Sequence, residues 1–332
     1  MIFTVKKRII RNRINRISFL NILIKEPKPD ARKILEEFYL KQPIQIKMPL
    51  HKEFDTLSSV SRALGDAINS ASFSKQAFLQ GKKRYLLTRN GFNSRLSKFD
   101  KYINLGSGLN IIKGEDIANY NVGNGNIAQW FQRALGLIPN LSGTAEWDLN
   151  VKKDPYKIGI CFITGTSAFH KTNYRAPRQL FPENREIIQE FINENPQFKF
   201  VEFGKESIKL NGVDTNFIGK TIEESILEAA TCEYAIVLNT GLMHVFSAVG
   251  AKVIVLINIP KPNYCYLPIL RSNDFEDLSW LSAKNVHLHQ EGGNPLCPHF
   301  DKYNLQKAIN GEIYPYWNDK YLDMIFDKKW IK

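Results

Sequence analysis

The sequence predicts an α/β protein built on doubly wound parallel sheets, and three observations lead to that fold class. Two continuous apolar runs, Tyr234–Leu238 and Val253–Ile257, lack the polar alternation of a half-exposed strand. Such runs are typical of parallel strands that are covered on both faces. Helical patterns alternate with these runs, and a chain of 332 residues is long enough for two domains of ordinary size.

The stretch from Thr221 to Ile257 carries the clearest pattern. Thr221 is a good helix N-cap, and Glu224 three residues later completes a capping box. The helix leads into the first apolar run, which breaks at Asn239-Thr240-Gly241. A second helix, from about Leu242 to Val249, ends at Gly250 and is followed by the second run. This order of helix, strand, turn, helix and strand predicts a doubly wound domain.

The turn Asn239-Thr240-Gly241 lies where such folds bind ligands, between the end of a strand and the start of a helix. Free backbone N–H groups and the helix dipole favour an anion there. Gly241 allows a ligand to approach the backbone, Thr240 offers a hydroxyl, and His244 lies one turn into the helix. An ordinary capped turn with a core-facing histidine would show the same residues, and that alternative stays open.

The positive charge is concentrated at the amino end of the chain. The formal net charge is +12, and residues 1–25 contain seven basic residues and no acidic one. Their mixture with isoleucine, leucine and phenylalanine predicts a basic amphipathic helix on an anionic membrane surface. A basic helix packed on the domain and a disordered arm are the alternatives. We expect a cytoplasmic protein, peripheral on the inner face of the membrane, and no binding of nucleic acid.

If the leader, residues 1–25, docks on membranes, its deletion should release the protein from anionic vesicles. Salt should weaken the docking, because exposed charges are screened within about 10 Å at 0.1 M ionic strength. Vesicle co-sedimentation checks this, and equal binding of both forms would contradict it.

The sequence predicts neither a disulfide framework nor a metal or other cofactor. The four cysteines are far apart and form no CxxC pair. Cys161 and Cys232 lie in or beside apolar elements, as reduced cysteines often do. The residues nearest to a metal-ligand pattern lack the spacing of a complete ligand set; they are His287, His289, Cys297 and His299.

In the N-terminal half, a short apolar strand at Ile44–Met48 precedes a predicted helix from about Thr56 to Ala71. Asp55 would stand at the start of that helix, whereas Asp66 of Leu64-Gly65-Asp66 would lie deep inside it. Further strands are predicted at three places: Arg84–Thr88, Tyr102–Leu105 and Ile111-Ile112.

The second half begins after a predicted linker at Val151–Pro155. A strand at Ile158–Thr164 leads into Thr164-Gly165-Thr166, with Lys171 close behind, and such a hydroxyl-rich loop with nearby cations suits a diphosphate. Glu206, past a strand at Phe198–Phe203, is a candidate for the hydroxyls of a ribose, although an exposed glutamate is the simpler interpretation. Other predicted elements are the helix Pro182–Glu194, the strand Asn285–His289 and the helix Asp301–Ile309.

The segment N-T-G-L-M-H-V-F-S-A-V-G, with its flanking helix and strands, resembles the C-terminal signature D-[ST]-G-x-x-H of glycosyltransferase family 9. That family contains the lipopolysaccharide heptosyltransferases. Asn239 stands where the family usually has Asp. The resemblance implies a GT-B architecture, in which two Rossmann-like domains face each other across a cleft. It also implies an inverting, metal-independent transfer of a heptose or related sugar from a nucleoside diphosphate sugar to a glycan, lipid-linked or protein acceptor.

The resemblance implies roles for residues as well. The family's G-D element supplies a general base, for which Asp55 is the first candidate and Asp66 the alternative. The candidate donor-binding residues are Thr164, Gly165, Thr166, Lys171, Glu206, Asn239, Thr240, Gly241 and His244. The predicted division is a leader and short helix over 1–43, an acceptor domain over 44–150, a donor domain over 156–300, and C-terminal helices over 301–332 that cross back to the first domain. A nucleotide-sugar-binding protein without transfer activity is the alternative, because Asn239 lacks the family's charge.

Overall fold

A computed structural model describes the parts of the chain from which the two sheets and their helices are built. The described residues are 56–58, 64–79, 85–87, 95–102, 111–113, 145–163, 180–257, 285–290 and 298–313. The leader over 1–25 lies outside these residues, as do the predicted strand at 44–48 and the loop over 164–179. Among the described residues, no helix combines the length and apolarity needed to cross a membrane.

The larger sheet has six strands, all parallel, in the order β6-β5-β4-β7-β8-β9. Numbered from β4, this is the order 3-2-1-4-5-6 of a doubly wound sheet. The predicted α/β class is therefore confirmed for this part of the chain. The strands are β4 (Asp154–Ile163), β5 (Lys199–Gly204), β6 (Val213–Ile218), β7 (Cys232–Leu238), β8 (Lys252–Ile257) and β9 (Val286–His289).

Helices cover both faces of this sheet, which explains why its central strands have no polar face. One face carries α2 (Pro182–Glu194) and α5 (Lys302–Ile309), whose apolar residues join a core with both β4 and β9. On the other face Phe246 of α4 (Gly241–Ala248) lies over Gly159 of β4. Between β6 and β7, α3 (Ile222–Ala229) begins with the predicted capping box of Thr221 and Glu224. Cys161 and Cys232 are buried free thiols, as predicted, and burial raises the pKa of both.

The N-terminal half contributes a smaller parallel sheet and one long helix. Strand β1 (Thr56–Ser58) lies between β2 (Tyr85–Leu87) and β3 (Ile111–Lys113), which confirms the strands predicted near 84–88 and 111–112. The helix is α1 (Leu64–Leu79), and it packs against α4 of the larger unit.

The predicted helix from Thr56 to Ala71 is wrong in its first half. Residues 56–58 form β1, and α1 begins only at Leu64. Asp66 is therefore the third residue of the helix and does not lie deep inside it. The pairing of β1 with strands on both sides decides this conformation, and three residues are too few for a periodicity to reveal a strand. Asp55 lies outside the described residues, and the helix start that favoured it is absent.

Three further segments differ from the prediction. Strand β4 begins at Asp154, inside the predicted linker, because Asp154 already pairs with Cys232 of β7. Strand β6 occupies a stretch that showed no strand pattern, since the three residues in its middle are polar and exposed at the sheet edge. Tyr102, the first residue of the strand predicted over 102–105, lies in a turn, where its N–H donates to Asp100 Oδ1 at 2.9 Å. The other residues of that predicted strand lie outside the described ones.

The segment 145–150 ties the two halves together ahead of β4. The Trp147 indole donates to Asp100 Oδ2 at 2.9 Å, and the Trp147 backbone N–H donates to Ala248 O at 2.7 Å. Glu146 forms an ion pair of 2.9 Å with Lys75 of α1. These contacts hold α1, residues 95–102 and the end of α4 around one short segment.

Candidate functional site

The strand order places a ligand crevice at the carboxyl ends of β4 and β7. In a doubly wound sheet the chain leaves adjacent central strands in opposite directions, and the crevice opens between the loops that follow them. The loop after β4 begins at residue 164, and the turn after β7 is Asn239-Thr240. The two predicted diphosphate-binding stretches therefore follow the two strands that flank this switch point.

Thr240 is the N-cap of α4, but its hydroxyl does not cap the helix. Its backbone is extended, with φ −141° and ψ 174°, and its side chain accepts no hydrogen bond from the first turn. Thr240 is only 5% exposed, and Oγ1 has no hydrogen-bond partner in the described part of the chain. A buried hydroxyl without a partner costs free energy, so its presence at a helix N-terminus points to a ligand that accepts its hydrogen bond.

The surroundings of Thr240 suit a negatively charged ligand. The first turn of α4 contains no acidic residue, and the N–H groups and dipole at a helix N-terminus favour an anion. Asn239 is 5% exposed and carries no charge at neutral pH. The turn therefore offers donors to an anion without a carboxylate that would repel it.

The start of α1 lies directly against this turn. A Cβ placed on Gly65 would lie 2.6 Å from His244 Cδ2 and 3.7 Å from the Gly241 Cα. In the other direction, a Cβ on Gly241 would lie 3.0 Å from the Leu64 Cβ. The structure thus brings Leu64-Gly65 and Gly241-x-x-His244 together, although they are far apart in the sequence. Asp66 follows Gly65 in the first turn of α1.

The loop predicted to bind the second part of a diphosphate lies outside the described residues. This applies to Thr164, Gly165, Thr166 and Lys171. The structure does describe its starting point, because Lys205 N–H donates to Ile163 O at 2.9 Å. Gly204, at φ +128°, makes that approach sterically feasible, since a Cβ there would lie 2.2 Å from Ile163 O. The roles of the four loop residues stay predictions.

Glu206 is exposed two residues beyond the end of β5. A second carboxylate, Glu202, is buried within that strand and accepts hydrogen bonds from Ser207 Oγ at 2.5 Å and Ile208 N at 2.8 Å. These two hydrogen bonds hold Ser207 and Ile208, and with them the loop that carries Glu206, against β5. The role of Glu206 toward a ribose stays a prediction.

A separate polar group lies on β9. His287 is 7% exposed, and its Nε2 has no hydrogen-bond partner among the described residues. Asn285 lies two residues earlier and accepts a hydrogen bond from Ser247 Oγ at 2.9 Å. Burial lowers the pKa of His287 to about 4, so its imidazole is neutral at physiological pH. Within the described ranges, no three His, Cys, Asp or Glu side chains cluster as metal ligands would.

The buried neutral His287 should make folding stability depend on pH. Its pKa is about 4 in the folded state and about 6.5 in the unfolded chain, so the unfolded state binds more protons between these values. Stability is therefore lost as the pH falls from about 6.5 to 4, by up to about 3 kcal/mol. Thermal unfolding at pH 7.5 to 4.5 checks this, and His287→Leu should flatten the profile. The exposed His299 provides the control, and an equal effect of His299→Leu would contradict the assignment.

The contact between the two helix starts was not predicted from the sequence. Leu64-Gly65-Asp66 was visible as a motif, but the apolar spacing around it placed it within a longer helix. The sequence offered two signals: the resemblance of Gly65-Asp66 to the family's G-D element, and the glycine itself, which is a poor residue for a helix interior and is common where a backbone approaches another group.

Comparisons with known proteins find similarity in structure only. No protein-family model and no curated protein matches the chain. Among solved structures, the E. coli heptosyltransferase WaaC with ADP matches with 10% identity over 63% of this chain and 89% of that one, at a TM-score of 0.46. The iron-containing dodecameric glycosyltransferase TibC from enterotoxigenic E. coli H10407 matches with 13% identity over 83% of this chain and 75% of that one, at a TM-score of 0.47.

A third match is the glycosyl transferase family 9 protein from Veillonella parvula DSM 2008. Its identity is 10% over 81% of this chain and 99% of that one, with a TM-score of 0.48. Two of these three structures are a heptosyltransferase and a family 9 protein, the proteins that the sequence segment resembles.

Proposed function

We propose that this protein is an inverting glycosyltransferase that uses a nucleoside diphosphate sugar. One observation carries the proposal: the hydroxyl of Thr240, which has no hydrogen-bond partner among the described residues, lies at the N-terminus of α4, beside the switch point of a doubly wound sheet and near the first turn of α1. A donor-binding turn and a carboxylate-bearing turn therefore meet at one place, as a group transfer between two bound substrates requires.

The diphosphate of the donor would bind at the start of α4. As the glycosidic bond breaks, the leaving nucleoside diphosphate gains negative charge, which the helix N-terminus and the Thr240 hydroxyl would stabilise. Charge-assisted hydrogen bonds of this kind are about twice as strong as neutral ones. The loop at 164–166 and Lys171 would contribute further donors from the β4 side of the crevice. No metal ion is required in this scheme.

The acceptor would approach from the N-terminal half, with Asp66 as the general base. Asp66 lies in the first turn of α1, which follows β1 and packs on the donor-binding turn. A base in that position takes the proton of the acceptor hydroxyl while the oxygen attacks the anomeric carbon from the face opposite the diphosphate. This choice replaces Asp55 as the first candidate, because α1 begins at Leu64.

The corresponding architecture would be GT-B. The six-stranded sheet, which begins at Asp154, would belong to the donor domain predicted over 156–300, and the sheet β2-β1-β3 would belong to the acceptor domain predicted over 44–150. The contacts of residues 145–150 with α1 and α4 support a short connection between them. The acceptor would be a glycan, a lipid-linked glycan or a protein, and the sugar a heptose or a related one.

Asn239 favours one alternative, a protein that binds a nucleotide sugar without transferring it. Its amide replaces the carboxylate usual at this position of the signature, and it is buried at 5% exposure. Such a protein would keep the anion-binding turn and would not need a base in α1.

The experiment that tests the proposal is isothermal titration of the folded protein with ADP, UDP and GDP. The proposal expects one of them to bind, and it is refuted if none does. The sugar nucleotide of the base that binds is then supplied with a preparation of lipid-linked or free glycan, and release of the nucleoside diphosphate is measured. Binding without release supports the alternative.

A further inference from the structure

The starts of α1 and α4 contact each other reciprocally through two glycines. The imidazole of His244 occupies the place where a Gly65 side chain would begin, with Nε2 at 3.1 Å from an added Cβ. Leu64 occupies the corresponding place at Gly241, with its Cγ 3.3 Å from an added Cβ. Each helix start therefore receives a side chain of the other in the space that its glycine leaves open.

The contact leaves the imidazole little freedom to move aside. His244 is 4% exposed, and its neighbours Met243 and Val245 in α4 are fully buried. On the other side of the contact, Ala67 and Ile68, near the start of α1, are also fully buried. A side chain at position 65 would therefore move one helix start relative to the other, because a packed interior has no void to accept it.

We propose that this contact is a positioning device that sets the distance between the Asp66 turn and the donor-binding turn. The proposal rests on the function proposed above. Asp66 follows Gly65 directly, and Thr240 precedes Gly241 directly, so each proposed functional residue is one peptide unit, 3.8 Å between Cα atoms, from the contact. Gly65 and His244 are then positioning residues, which act on the reaction through the groups that they hold.

The first test is Gly65→Ala. A misplacement of about 1 Å can cost about 10²-fold in rate, so we expect kcat for transfer to fall about 100-fold. The affinity for the nucleoside diphosphate should stay within about twofold, because the donor-binding turn belongs to α4. Alanine is the better helix former, so without a clash the substitution would raise the Tm. We expect instead that the Tm falls by about 5 °C.

The double variant Gly65→Ala/His244→Ala separates the contact from other effects. Removal of the imidazole makes room for the new Cβ, so the double variant should have the kcat of His244→Ala alone within about threefold. Ser74→Ala is the matched control on α1, since Ser74 is 3% exposed and its Oγ has no partner in the described part of the chain. It should lower neither kcat nor the Tm.

An unchanged kcat in Gly65→Ala would overturn the proposal. So would a loss of kcat on Gly65→Ala that is equal in the presence and absence of the His244 ring. If Gly65→Ala does not fold, the double variant should fold, and failure of both to fold overturns the proposal too. If the wild type binds a nucleotide but transfers nothing, the catalytic role of the contact fails together with the proposed function. The Tm values of the wild type, Gly65→Ala, His244→Ala and the double variant form a double-mutant cycle. They show whether the contact itself exists, so the two failures are distinguishable.

Discussion

Asp66→Asn is expected to lower the rate of sugar transfer by about 10²–10⁴-fold while the affinity for the nucleoside diphosphate stays unchanged. A positioned general base contributes a factor of that size, and the amide cannot accept the proton of the acceptor hydroxyl. Asp66 lies in the first turn of α1, where the loss of a negative charge costs the helix only about 0.3–1 kcal/mol. The measurement is release of nucleoside diphosphate at saturating donor, with the titration and the Tm as controls.

Asp55→Asn is the matched control for this prediction. Asp55 directly precedes β1 in the sequence, whereas Asp66, eleven positions later, lies in the first turn of α1. If transfer is lost in Asp55→Asn and kept in Asp66→Asn, the base lies before β1 and the assignment to α1 is wrong. If both variants keep the wild-type rate, neither carboxylate is the base.

Thr240→Val is expected to weaken nucleoside diphosphate binding by about 10- to 100-fold without lowering the Tm. A hydrogen bond to a charged group contributes about 1.5–3 kcal/mol, which corresponds to this change in affinity. Valine has the same shape, and the lost hydroxyl has no partner among the described residues, so folding loses no interaction. Isothermal titration and thermal unfolding measure the two effects. Thr240→Ser keeps the hydroxyl and should keep the binding.

Thr221 provides a control of the opposite sign. It is also the N-cap of a helix, but its hydroxyl accepts a hydrogen bond from Glu224 N at 3.2 Å and forms a complete capping box. Thr221→Val should therefore cost about 1 kcal/mol of stability and leave nucleotide binding unchanged. If Thr240→Val behaves like Thr221→Val, with a lower Tm and the wild-type affinity, the Thr240 hydroxyl serves the fold and not a ligand.

The close approach of α1 to the start of α4 makes Gly241 a poor residue for such a test. A valine at this position would approach Leu64 of α1 as well as any ligand, because even a Cβ would lie 3.0 Å from the Leu64 Cβ. A change in affinity would then combine a lost backbone approach with a displaced helix. Thr240 separates the two effects, since its side chain can lose the hydroxyl without a change in shape.

The sequence by itself determined most elements of the larger unit, though not β6, and the turn between β7 and α4. The capping box of Thr221 and Glu224, the apolar runs of β7 and β8, and the end of α4 before Gly250, at φ +77°, all follow from short segments of chain. Such signals are local, because a cap, a covered strand or a left-handed glycine depends on a few neighbouring residues. The candidate role of Thr240 belongs to this group, since a strand end followed by a helix start was visible in the sequence.

Only the tertiary structure decided where the N-terminal half contributes to the site. Three residues become β1 because β2 and β3 pair with them from 29 and 55 positions farther along the chain. That pairing moves the start of α1 to Leu64 and brings Gly65 against His244, which is 179 positions away. The burial of His287, and of the Thr240 hydroxyl without a partner among the described residues, likewise depends on elements that meet only in the folded chain. Pairing and burial over such separations leave no periodic trace in a sequence, because the partner residues that create them belong to other segments.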